Sequence, residues 1–377
     1  MSFDMKNVPK VRLGDYIRRS TINNHDLKYG IELIEGVTNE GVFSKPKGDP
    51  LDVDLKPYKI VNTGALVYNP SRLNLGSIAY RTGGLCIVSH LYIVFYLNEK
   101  GKEAIDPDYL YIYFRRDEFY REVTFRNFGS QRPEFNFNDM SDIMIPLPDI
   151  SVQRKYVAIY KAMVANQLSY ERGLEDLKLV CDGYIEDLRR KMPCEKIGKY
   201  LELVEDKNEN AQFGLDRVRG VSIEKVFIET KADMTDVNLA PYYIICPNDF
   251  AYVTVTSRNG EKISIALNDS KETYICSSSY VVFRSKDPEK LFPQYLMLFF
   301  SRSEFNRYAR FHSLGSARET FDWAEMCEVE IPIPDIKVQK AIAAMFSVYT
   351  ERKKINEQLK TQIKDICSIM IKGSLEE

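Results

Sequence analysis

The chain has 377 residues, 44% of them hydrophobic and 28% charged, with a net charge of −2. That composition excludes a disordered chain and a polycation of the histone type, and it leaves room for two or three domains with cores of their own. Seven scattered cysteines without a CxxC pair, no apolar leader in Met1–Lys10 and no membrane-length apolar run point to reduced thiols in a cytoplasm, away from any membrane.

Residues 1–149 form the first globular segment. YKIVNTGALVY, LGSIAY and CIVSHLYIVFYL are rich in Val, Ile and Tyr and predict strands. A helix is expected over 107–121, followed by RNFGSQR, which carries Arg126, Ser130 and Arg132. Then comes IPLPDI at 145–150, where two prolines one residue apart hold the backbone extended and Asp149 or Ser151 can cap a helix. From Ile150 to Met192 there is no proline and only Gly173 and Gly183, so a helix of roughly 60 Å is expected. Tyr156, Tyr160, Met163, Gln167, Tyr170, Leu174, Leu177, Cys181, Tyr184 and Leu188 alternate steps of four and three, the rhythm of a coiled-coil seam.

Residues 193–335 repeat the first segment. YYIICPNDFAYVTV, EKISIAL and SSYVVF predict strands, and 293–307 predicts a helix. GSARETFDWAEMCEVEIPIPDIKVQ at 315–339 matches GSQRPEFNFNDMSDIMIPLPDISVQ at 129–153, a constant offset of 186 residues. Twice that offset nearly fills the chain, so the duplication covers two whole domains and two whole connectors. The second connector, 336–377, carries Val338, Ile342, Met345, Tyr349, Leu359, Ile363, Ile366 and Met370 in the same rhythm, interrupted by Arg352 and Asn356. The expected fold is α+β: two duplicated α/β domains (1–149 and 193–335) separated by two long helices (150–192 and 336–377). These helices would form an antiparallel coiled coil with pseudo-two-fold symmetry.

Charge is spread evenly. The four segments carry −1, +2, −6 and +3 in chain order, so any polyanion site must be a local patch. Such patches occur at matching places. Arg115, Arg116, Arg121, Arg126 and Arg132 cluster in the first domain, and Arg302, Arg307, Arg310 and Arg318 in the second, beside Ser316. A second matched pair is the polar loop carrying Arg72 and the loop carrying Arg258 and Asn259. The planar guanidinium fork suits phosphate and guanine edges. The pattern, present twice, points to DNA contact.

Catalytic signals fail one by one. There is no GxxxxGKS/T phosphate loop, no GxGxxG, no Asn/Asp-Pro-Pro-Tyr/Phe methyltransferase site and no GxSxG elbow. His25, His90 and His312 sit in no metal-ligand spacing. Asp149 and Asp176-Leu177-Lys178 imitate a nuclease metal site, but a straight helix separates them by ~40 Å. No catalytic residue, metal or cofactor is expected in the chain.

IPLPDISVQRKYVAIY, IPIPDIKVQKAIAAMF and the strand-loop-strand NDFAYVTVTSRNGEKISIA resemble the DNA specificity (S) subunits of Type I restriction-modification systems, the HsdS family. The resemblance covers the whole chain. It departs at Val152 and Val338, where the family usually has glutamate, and in the first loop, which lacks the Arg-Asn-Gly of 258–260. It implies a non-catalytic subunit whose partners are double-stranded DNA, two methyltransferase (M) subunits and, in the full complex, two restriction/motor (R) subunits. AdoMet would belong to the M partner. Each target-recognition domain would read half of a split, asymmetric target, and the helices would fix the gap and dock M. Rival expectations are a two-headed protein-binding adaptor and the recognition portion of a single-chain restriction or modification enzyme.

Overall fold

The computed structural model describes residues 8–46, 48, 53–126, 134–230, 233–234, 237–256, 262–314 and 319–376. The chain forms two compact units. One takes Met1–Tyr170 with Ile355–Glu377, and the other takes Glu171–Lys354.

Each unit is built on the same four-stranded antiparallel sheet. In the first, the strands run in the order Ile17–Ser20, Ile93–Leu97, Leu66–Tyr68, Ile78–Tyr80. In the second the order is Leu201–Leu203, Tyr280–Ser285, Phe250–Val253, Ile265–Leu267. One face carries aromatic residues: Tyr68 and Phe95 in the first unit, Phe250, Tyr252 and Phe283 in the second, all fully buried. Helices pack on that face. Pro107–Phe114 begins with proline at its first turn and Asp106 accepting from the amides of Asp108 and Tyr109. The single helix expected over 107–121 is two, Pro107–Phe114 and Asp117–Arg126, because the chain turns at Arg115 to bury that side chain. The counterparts are Pro293–Ser301 and Ser303–Phe311.

The duplicated IPxPDIxxQ sequence is a closure device. Met144–Pro146 pairs antiparallel with Lys10–Arg12, and Glu330–Pro332 with Cys194–Lys196, so each domain's last strand returns to its first. The glutamine that ends the motif is completely buried in both copies. Gln153 Nε2 donates to the carbonyls of Ala104 and Pro148 at 2.9 and 2.8 Å, and its Oε1 accepts from the Asp106 amide at 2.9 Å. Gln339 does the same with Lys290, Pro334 and Phe292, at 2.8, 2.8 and 2.9 Å. Every polar atom of the amide group is used, which buried polar groups require.

The long helices are Ile150–Lys191, here the central helix, and Ile336–Ser374, the terminal helix. In the first unit the start of one packs with the end of the other. Tyr156, Val157, Tyr160 and Met163 join Ile366, Cys367, Met370 and Ile371 in the domain core, and Tyr109 Oη lies 2.7 Å from Ser374 Oγ. In the second unit Cys181, Ile185 and Leu188 join Ile342, Ala343, Met345 and Phe346. The pairing is antiparallel within each unit.

Most of the expected seam faces inward. Leu174 is buried, and Tyr170, Leu177, Tyr349, Leu359 and Ile363 are half-buried. Tyr184 is a correction: it is 49% exposed, and Ile185 takes its place with none of its surface exposed. Val338 is likewise exposed beside buried Gln339. A 3.5-residue rhythm drifts around a helix of 3.6 residues per turn, so the inward position slips by one near the ends. Asn356 does not interrupt the packing. It is buried, and its Oδ1 accepts from Gln167 Nε2 at 3.0 Å.

Candidate nucleic-acid interface

In each unit the fold brings together the roots of the two arginine-bearing loops. Phe135 and Phe321 occupy equivalent positions and are fully buried. The Phe135 amide donates to the Pro70 carbonyl at 3.1 Å, and the Phe321 amide to the Thr254 carbonyl at 2.8 Å. Phe135 and Phe321, three residues after Arg132 and Arg318 in the sequence, thus meet the loop that follows an inner strand of each sheet. In the second unit Thr256 strengthens the junction: its amide donates to the Glu319 carbonyl at 3.0 Å and its Oγ1 to Ser313 Oγ at 2.9 Å. In the first unit the helix Asp117–Arg126 packs on the turn Leu73–Leu75, with Leu73, Phe119 and Val123 sharing the core. Gly76 closes that turn at φ +97, and a Cβ there would lie 2.4 Å from the Asn39 carbonyl oxygen.

Of the expected DNA contacts, Arg72 is exposed on this turn. Arg126 is exposed at the end of its helix and bonds Glu122 Oε1 through Nη2 at 2.7 Å. Arg310 pairs with Glu319. Such solvent-facing pairs are weak, so a phosphate can displace the carboxylate. Ser130, Arg132, Arg258, Asn259, Ser316 and Arg318 lie outside the described residues.

Two members of the arginine patches that the sequence pattern assigned to DNA contact face inward. Arg115 is buried and donates to the carbonyls of Gly76 and Asn39 at 2.6 and 3.1 Å. Arg302 is buried against Glu186, Asp182 and Glu304 at 2.6, 3.2 and 3.4 Å. Both arginines support the fold. Arg116 lies over the Tyr113 ring at 3.9 Å. Arg121 and Arg307 are 74% and 70% exposed and pair with Glu118 and Glu304, one turn back, at 3.7 and 3.5 Å.

A cavity of about 640 Å³ in the second unit is lined by Glu304, Glu325, Glu328 and Glu330 against Arg189 and Arg302. Its carboxylates disfavour a phosphate, which separates it from the arginine loops. Among the described residues no helix is long and apolar enough to cross a membrane.

The model of the Type I restriction modification DNA specificity domain matches residues 4–177 and matches again over residues 223–365. The chain belongs to this family. It is a Type I specificity chain, a DNA-recognition subunit with two specificity domains, a long central helix and a long terminal helix. A crystal structure of a Type I restriction-modification S subunit from M. genitalium shares the fold across 97% of this chain and 95% of that one, with a TM-score of 0.59 at 10% identity. The HsdS subunit from Thermoanaerobacter tengcongensis aligns over 99% of this chain and 100% of its own, at 17% identity and a TM-score of 0.42. A chain from a study of assembly and conformational transition in the type I R-M system aligns over 97% and 98%, at 16% identity and a TM-score of 0.47. No functionally curated protein matches. In the specificity chain the repeated motif that carried the resemblance closes each domain and is structural.

Proposed function

We propose that each domain, 1–149 and 193–335, reads one half of a split and asymmetric DNA target. The helices 150–192 and 336–377 would fix the gap between the halves. One observation carries this reading: the same junction of two arginine-bearing loops occurs once in each unit, through Phe135–Pro70 and Phe321–Thr254. The two domains present different side chains there, so the two half-sites differ. Phosphate contacts supply salt-dependent affinity, and side chains in the groove supply sequence.

The subunit is non-catalytic in this reading. Methyl transfer belongs to M subunits that bind AdoMet and take the adenine out of the stack. Two M subunits, and two R subunits in the restricting complex, assemble on the chain in the cytoplasm. Leu168, Leu179, Val180 and Tyr184 are exposed apolar positions on the central helix available to contact M. Tyr156 and Tyr160 serve the domain core instead.

The test is genome-wide adenine methylation with the gene intact and deleted. A split, asymmetric motif with a fixed gap should lose methylation on deletion. Unchanged methylation, together with salt-independent DNA affinity of the S–M complex, would leave the two-headed adaptor as the better account. Alanine at Arg132 and at Arg318 should each lower the salt slope of binding by about one if they meet phosphates.

A further inference from the structure

Two phenylalanines stand in water at the same place in both domains. Phe125 and Phe311 lie 186 residues apart, and each is 82% exposed. A single exposed ring is ordinary on a protein surface. The same exposed ring in two diverged copies calls for a use outside the fold.

The two helices have diverged almost everywhere else. DEFYREVTFR and SEFNRYARFH share four of ten positions: Glu118/Glu304, Phe119/Phe305, Arg121/Arg307 and Phe125/Phe311. Phe119 and Phe305 are core residues. Arg121 and Phe125 are four residues apart on one helix face, as are Arg307 and Phe311. Each exposed ring therefore comes with an exposed guanidinium one turn before it. Each guanidinium lies 3.5–3.7 Å from the carboxylate of Glu118 or Glu304, in an exposed pair weak enough for a phosphate to displace. Beside the second ring Arg307, Arg310 and His312 are each paired with a carboxylate, of Glu304, Glu319 and Glu325. Beside the first, Glu122 is held by Arg126. Both rings stand beside the loop junctions. Ser313, which holds Thr256, is two residues after Phe311, and the helix of Phe125 packs on the turn of Arg72.

We propose that Phe125 and Phe311 are DNA wedges, one per half-site. The ring enters between stacked bases while Arg121 or Arg307 meets the adjacent phosphate. Apolar side chains inserted at a base step unstack it and bend the duplex, which brings more of the protein surface into contact. The inference rests on the DNA-recognition reading above and assigns it two residues.

The test uses the full chain in complex with its methyltransferase subunits. The probe is a duplex carrying the motif that loses methylation on gene deletion, with 2-aminopurine placed at successive positions of each half-site. Wild type should brighten the probe at one step in each half. Phe125→Ala should abolish the signal in one half only and weaken binding about tenfold, the scale of one lost base–aromatic contact, and Phe311→Ala should do the same in the other half. The salt slope should not change, and Phe→Trp should restore both readouts. Alanine variants that bind and brighten like wild type would overturn the wedge alone. So would variants that shed M subunits while keeping DNA affinity, because the rings would then be partner contacts. A wild-type complex with no salt-dependent DNA binding would overturn the DNA reading and the wedge together.

Discussion

The two domains tie the same two elements together in opposite directions. In the first, the hairpin of Gly36–Val37 and Phe43–Ser44 turns at Gly41, with φ +76. Arg115, at the end of the helix Pro107–Phe114, reaches to that turn and donates to Asn39 and Gly76. In the second, the position of Gly41 is Lys225, with φ +64, in the turn between Arg219–Val221 and Phe227–Glu229. Lys225 reaches the other way, to the Phe300 carbonyl in the last turn of Pro293–Ser301 and to Asn306 Oδ1. Ser301 stands where the first domain has Arg115. In both domains a nitrogen side chain ties the hairpin turn to the end of the helix, and either element can supply it. The difference is chemical. Arginine stays protonated, whereas burial pushes the Lys225 ammonium down to about 7.

The largest expected effect should be shared. Gln153→Leu and Gln339→Leu each leave an amide and two carbonyls buried and unpaired, at a cost of about 3 kcal/mol or more in urea unfolding. Because the two amide groups make the same three bonds, unequal losses would show that the domains differ beyond the hairpin tie. Arg115→Met removes two hydrogen bonds from a permanent charge and should cost about 2–3 kcal/mol. Lys225→Met should cost less than about 1 kcal/mol at pH 7, since it also removes a buried amine. Equal costs would empty the reversal of energetic content.

The smallest effect is the sharpest. Between pH 7 and 10.5 the unfolded chain holds a proton on Lys225 that the folded chain gives up. Its contribution is therefore fully present above 10.5 and is lost as pH falls to about 7. The slope within that window is at most about 1.4 kcal/mol per pH unit. Lys225→Met should flatten the pH dependence of unfolding, and Arg115→Met should leave it as it is.

The sequence made the duplication, the long helices and their antiparallel pairing legible, because each rests on periodicity or on repeated words. It showed Gln153 and Gln339 as repeated letters without revealing their bonds, since a buried amide and a surface amide are spelled alike. Arg115 and Arg302 were grouped with solvent-facing arginines for the same reason. Tyr184 and Ile185 are adjacent apolar residues, and only the drift of the helix chooses between them. For the wedge a signal was present. Phe125 and Phe311 recur at the repeat offset, yet a phenylalanine reads as core until its exposure is known.

The packing of the two long helices also sets an order of events during synthesis. The second unit is one continuous stretch, Glu171–Lys354. The first is not: its core includes Cys367, Met370 and Ile371, which leave the ribosome after the whole of the second unit. A growing chain can therefore complete the second recognition domain while the first still waits for its final helical turns. A cut after Lys354 would strike the half-site reader at the opposite end of the sequence.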